Sequence, residues 1–176
     1  MGREQRNRDT RKLALSAILG ALAVVLLLLS CVLPTMQLTV IAVAGILSAA
    51  TLIENGVKWA ALQYGAVSIL SILLLPDKSS ALFYTLFFGH YPIVKYLLER
   101  IHNPILCWCA KLAAGNLCLG VMILLLRAFF PEWQMEYELW IIILLCEAVF
   151  VLFDLALSRL LGYYQFRIRP KLMRKR

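Results

Sequence analysis

The sequence has little of what a water-soluble domain needs. Charged side chains make up only 16% of it and hydrophobic ones 62%, too little polar material to coat a soluble core. Acidic residues are the scarcest charges, ten Asp and Glu against eighteen Lys and Arg. No Gly-rich phosphate loop, Walker pattern or spaced Ser, His and Asp set occurs, so a self-powered ATPase is excluded and no catalytic residues are expected. The two histidines, His90 and His102, have no sequence companions of the kind a membrane metalloprotease uses. Five cysteines (Cys31, Cys107, Cys109, Cys118 and Cys146) all lie in apolar stretches, an odd number that supplies no disulfide framework. Cys107 and Cys109 diverge on a helix and lack further ligands, so the cysteines are expected to pack, and neither metal nor other cofactor is expected.

What the chain has instead is long apolar runs. Residues 13–33, 38–53, 57–75, 81–101, 105–130 and 139–161 are each bounded by Pro, Gly, Asn or charge. Most approach the roughly 20 residues needed to cross a hydrocarbon core about 30 Å thick. Runs without a polar face do not suit a soluble amphipathic helix, and helices satisfy their own backbone hydrogen bonds in lipid. The expected fold is all-α: a polytopic integral membrane protein with a bundle of about six transmembrane helices at 13–161. A basic leader, 1–12, and a basic tail, 162–176, flank it.

Charge orients that bundle. Fifteen of the eighteen Lys and Arg residues fall on one side of the expected membrane, among them the leader, Lys58, Lys95, Arg100 and the tail. Lys78 and Arg127 lie on the other side, with the acidic loop 132–138, and Lys111 lies within a run. Basic loops stay cytoplasmic, so both termini are expected inside a cell membrane. The basic ends are expected to meet anionic lipid head groups, at about 1 kcal/mol per cation. No nucleic-acid-binding pattern accompanies them, so nucleic acid is not an expected partner. Leu28-Leu29-Ser30-Cys31 resembles a lipoprotein cleavage point, but another apolar run follows it, and the first span is expected to be retained.

Polar residues at membrane depth mark candidate sites, because an ionisable group there costs several kcal/mol unless paired or hydrated. Asp154 is expected to pair with Lys111, with Lys95 a competing cation. Glu147 sits nearer the midplane, where Asn116 is its nearest candidate partner in depth. Tyr84, Phe87 and Tyr91 form an aromatic stripe on the fourth run, which Gly89-His90-Tyr91-Pro92 interrupts. Proline removes a backbone donor and clashes with the preceding turn, so a kink is expected, and interrupted helices line cavities in transporters. These observations suggest a substrate cavity lined by Tyr84, Phe87, Tyr91, Asn116 and Glu147. Packing is the competing reading of the same aromatics.

Small residues mark where helices approach. Ala14, Ala17 and Ala21 share a face of the first run; Ala44 with Ser48 and Gly45 with Ala49 repeat small-xxx-small in the second. The basic leader running into residues 11–23, in a six-span chain of this length, resembles the substrate-binding S components of energy-coupling factor vitamin transporters. The resemblance covers the chain in architecture and the first span in residues. It implies a micronutrient captured from outside, a coupling subunit docked on the Ala17 and Ala21 face, and two ATPase subunits that drive release inward by toppling of the S component. The connection 34–37 is shorter than the outer loop common in that family, and no vitamin-specific signature is present. A scaffold using the same small-residue faces is the alternative reading; a small lipid-modifying enzyme is a weaker third.

Overall fold

The computed structural model describes residues 2–101, 103–129 and 139–163, and among them there are helices and turns but no strand. The chain divides into two compact units, Met1–Gln134 and Met135–Arg176. The acidic loop 132–138, His102 and the tail 164–176 lie outside the described residues.

In the first unit, α1 runs from Gly2 to Val32, α2 from Gln37 to Asn55 and α3 from Val57 to Leu74. α4 spans Lys78–Phe83, a π-helical turn spans Tyr84–Phe88, α5 spans Tyr91–Leu98 and α6 spans Pro104–Phe129. The second unit contributes α7, Leu139–Tyr163. Four helical stretches among the described residues are long and apolar enough to cross a membrane: 5–32, 34–55, 57–74 and 104–125.

α1 is one helix of 31 residues that takes in the basic leader as well as the apolar run. The leader has neither Gly nor Pro after Gly2, and its Arg and Gln residues are good helix formers, so nothing stops the helix at the polar boundary. At 1.5 Å per residue it extends about 46 Å, well beyond a hydrocarbon core.

α1 packs along both α2 and α3. Ser16, Gly20, Ala23, Leu27 and Ser30 recur at steps of three and four and turn inward. α2 answers with Ile41, Ala44, Gly45, Ser48, Ala49 and Leu52, all buried. Small side chains let backbones close on one another, which matters where lipid removes the hydrophobic contrast. Gly56, with φ +89°, makes the one-residue turn into α3, a conformation few other residues adopt. Next to it, the Asn55 amide donates to the Lys12 carbonyl at 2.9 Å and to Ser16 Oγ at 2.8 Å, tying that turn back to α1.

α3 ends where Leu75 turns extended ahead of Pro76, which disfavours a helical conformation in the residue before it. Lys78 Nζ donates to the Ile72 and Leu75 carbonyls at 2.8 and 2.9 Å, satisfying acceptors left open at the helix end. Asp77 caps α4, accepting from the Ser79 and Ser80 backbone N–H groups at 3.0 and 3.1 Å.

The fourth run is not one helix. α4, the π turn and α5 are joined through a Gly89-His90 turn, at the break that Gly89 and Pro92 predict. Between α4 and the Gly89-His90 turn the structure adds a π turn to the expected kink. This segment packs on α2, and α6 packs on the π turn and α5.

Candidate functional site

The break in the fourth run is held by two glycines. The Gly89 N–H donates to the Tyr84 carbonyl at 2.7 Å, five residues back, which closes the π turn. A Cβ on Gly89 would stand 2.8 Å from the Tyr84 ring. Across the interface, a Cβ on Gly45 would stand 2.7 Å from the Phe88 carbonyl oxygen. Glycine at these two positions lets the aromatic ring and the α2 backbone reach the turn.

Around this turn the structure gathers side chains from α2, α3 and α6. Tyr84 is fully buried and its hydroxyl lies 3.1 Å from Ser48 Oγ. Tyr64 of α3 donates its hydroxyl to the Thr85 carbonyl at 2.8 Å, with its ring 6.4 Å from that of Tyr84 and 6.0 Å from that of His90. His90 Nδ1 lies 3.3 Å from the same Thr85 carbonyl, and Nε2 lies 3.5 Å from Cys118 Sγ on α6. A carbonyl only accepts, so Nδ1 carries the proton in that contact and Nε2 is the acceptor that faces the thiol. Tyr64 is the eighth residue of α3 and Cys118 the fifteenth of α6, so the cluster sits near the middle of both helices.

The structure distributes the expected cavity residues differently. Tyr84, Phe87 and Tyr91 are all buried in the broken segment, with Phe87 edge-on to Phe88 at 5.5 Å between ring centres. Tyr84 is enclosed by Gly89 and spends its hydroxyl on Ser48, so in this conformation its ring is part of the packing. Asn116 is exposed on α6. Glu147 lies on α7, in the second unit. Beyond that expectation, Ser48, Tyr64 and Cys118 are brought to the break, where they meet Tyr84, Thr85 and His90. Polar side chains in the middle of apolar runs were the signal for them, but only tertiary packing says that they converge.

A second cluster lies where α5 turns into α6. Glu99 Oε1 is 3.0 Å from Lys95 Nζ and 2.9 Å from Lys111 Nζ, and both lysines are buried while Glu99 is half exposed. Lys111 Nζ also lies 5.4 Å from the centre of the Trp108 ring. Glu99 is thus a carboxylate for Lys111 beyond the expected Asp154, because the short turn brings the end of α5 alongside the first turns of α6. Asp154, the expected partner, belongs to the second unit.

At the opposite end of α4, Asp77 Oδ2 accepts from Gln37 Nε2 at 2.6 Å and from Ser80 Oγ at 2.7 Å, and Ser30 Oγ lies 3.4 Å from Ser80 Oγ. These contacts join α1, α2 and α4. Burial raises the Asp77 pKa, but the hydrogen bonds from Ser79 and Ser80 outweigh it and hold the carboxyl below its ordinary value. On α1, Ala14, Ala17 and Ala21 are exposed, on a face turned away from α2 and α3. Among the described residues no group of three or more His, Cys, Asp or Glu side chains is placed to hold a metal ion.

Compared with known proteins, the chain matches no family model, no curated protein and no solved structure.

Proposed function

We propose that this chain is the membrane-embedded substrate-binding subunit of a micronutrient uptake transporter, energised by separate coupling and ATPase subunits. The observation that carries the reading is the broken fourth segment. It places a π turn, a histidine and buried aromatic rings near the middle of helices long enough to cross a membrane. Irregular backbone at that depth is tolerated where protein buries it or where it lines a cavity, and discontinuous helices are where transporters bind solute. Two further features support it: the sequence carries no motor of its own, and the Ala14, Ala17 and Ala21 face stands exposed for a coupling subunit. In this reading six helices cross the cell membrane with both ends inside, and Tyr84, Phe87, Tyr91, Asn116 and Glu147 are the residues proposed to bind the solute.

Native mass spectrometry of gently solubilised protein tests the ligand, and co-purification of wild type and the Ala17→Trp, Ala21→Trp double variant tests the docking face. A retained small molecule, lost in Glu147→Gln, together with partner subunits lost in the Trp variant, is the expected result. Impermeant labelling of single cysteines at positions 77 and 134 but not 102 in intact cells checks the orientation. The exposed alanine face also favours a second reading, a non-enzymatic scaffold, which needs a helical partner but no solute. Partner loss in the Trp variant with no ligand at any stage would establish the scaffold and overturn the transporter.

A further inference from the structure

We propose that His90 and Cys118 form a two-donor site for a monovalent soft metal ion, copper(I). Two side chains 28 residues apart, from different helical elements, meet with Nε2 and Sγ 3.5 Å apart. The imidazole is already arranged as a ligand: its other nitrogen is held by the Thr85 carbonyl at 3.3 Å. A backbone carbonyl on the far nitrogen is the usual outer partner of a metal-bound histidine, fixing the tautomer and the ring orientation. Tyr64 donates its hydroxyl to the same carbonyl at 2.8 Å, so the acceptor that orients the ring is itself held.

Charge and coordination number select the ion. Binding exchanges the thiol proton for the metal: the S–H bond breaks, an S–metal bond forms, Nε2 donates its lone pair and one proton leaves to solvent. No oxidant or reductant is required if the ion arrives as copper(I). A thiolate, a neutral imidazole and a monovalent cation sum to zero charge, whereas a divalent ion would leave a net positive charge at membrane depth, where charge is expensive. Among the described residues no third His, Cys, Asp or Glu joins the pair, so an ion that demands four ligands is unsuited and one content with two, soft enough for sulfur, fits. Metal–sulfur and metal–nitrogen lengths of about 2.3 and 2.0 Å, taken from zinc, require the donors to part by somewhat less than ~1 Å. Both side chains are only partly buried, which leaves room for that adjustment. The site stands independently of whether the chain carries a solute.

The test uses the full chain with Cys31, Cys107, Cys109 and Cys146 replaced by Ala, titrated with silver(I) and with chelator-buffered copper(I). One equivalent should bind, and X-ray absorption should show one sulfur and one nitrogen at the metal. His90→Phe should weaken binding by about 100-fold or more, beyond the roughly 10- to 100-fold that loss of an outer partner produces. Cys118→Ser keeps a hydroxyl donor for Nε2, so its fold should survive, verified by its melting curve, while binding is lost. Unchanged affinity in His90→Phe, or sulfur-only ligation, would show an ordinary cysteine with a hydrogen-bonded neighbour and overturn the site.

Discussion

Replacing Gly45 by Ala should destabilise the first unit even though alanine is the better helix former. In α2 the substitution gains about 1 kcal/mol of intrinsic propensity. Against that, the new Cβ would stand 2.7 Å from the Phe88 carbonyl oxygen and 3.1 Å from both the Phe88 carbonyl carbon and Cβ. Those obstacles belong to backbone and to the root of a side chain, so no rotamer change relieves them and α2 must move away from the π turn. Overpacking that forces backbone shifts costs about 1–3 kcal/mol, and here the displacement also stretches the Ser48 to Tyr84 hydrogen bond one turn further along α2. The net expectation is a loss of about 0–2 kcal/mol against wild type after the propensity gain is subtracted, and of about 1–3 kcal/mol against Gly-to-Ala changes that meet no obstacle. Gly65→Ala and Gly120→Ala are internal controls, because a Cβ at either position meets nothing within 4 Å. Thermal unfolding of all three variants in one detergent, followed by far-UV circular dichroism, gives the comparison. A melting temperature for Gly45→Ala equal to or above those of the controls would refute the close approach of α2 to the π turn.

Three other outcomes follow from named contacts. Replacing Gln63 with Leu should raise stability by about 1 kcal/mol or more, because its buried amide, packed beside Gly20, has no hydrogen-bond partner among the described residues; a lower melting temperature would show that the amide is bonded. Asp77→Ala should cost about 1 kcal/mol near neutral pH through loss of a helix cap. Since the Asp77 pKa is lowered on folding, its contribution is present above the ordinary carboxylate value and fades as pH falls through the folded value, so wild type and variant should converge in acid; a gap that persists at the lowest pH would refute this. Lys111→Met and Glu99→Gln should be non-additive in a double-mutant cycle of thermal unfolding, by about 0.5 kcal/mol or more given the half exposure of Glu99, and strict additivity would dismiss the pair.

Apolar runs between Pro, Gly and Asn told the helices well: expected spans 38–53, 57–75, 105–130 and 139–161 correspond to α2, α3, α6 and α7 within a few residues. Those limits are set locally, by residues that cannot continue a helix. The start of α1 was not legible, because apolarity reports where lipid would lie and the polar leader is equally helical. In the fourth run Gly89 and Pro92 announced the break, but the π turn depends on Gly45 admitting the Phe88 carbonyl, a tertiary fact. The same holds for His90: as one histidine in an apolar run it had no visible companion, and only the packing of α6 brings Cys118 to it. Glu99, at the end of the fourth run, is set beside Lys111 only by the tight turn after α5.

The break also bears on how the chain is made. Synthesis delivers α1, α2 and α3 first, joined by short connections, and the fourth run follows them. That run, as α4, π turn and α5, offers lipid no continuous helix of spanning length, and its loosened backbone needs protein around it. It therefore depends on a receptive surface, with Gly45 and Ser48 as its floor, waiting when it arrives. Damage to that surface would first be felt as a misassembled fourth run and early proteolysis of the nascent protein.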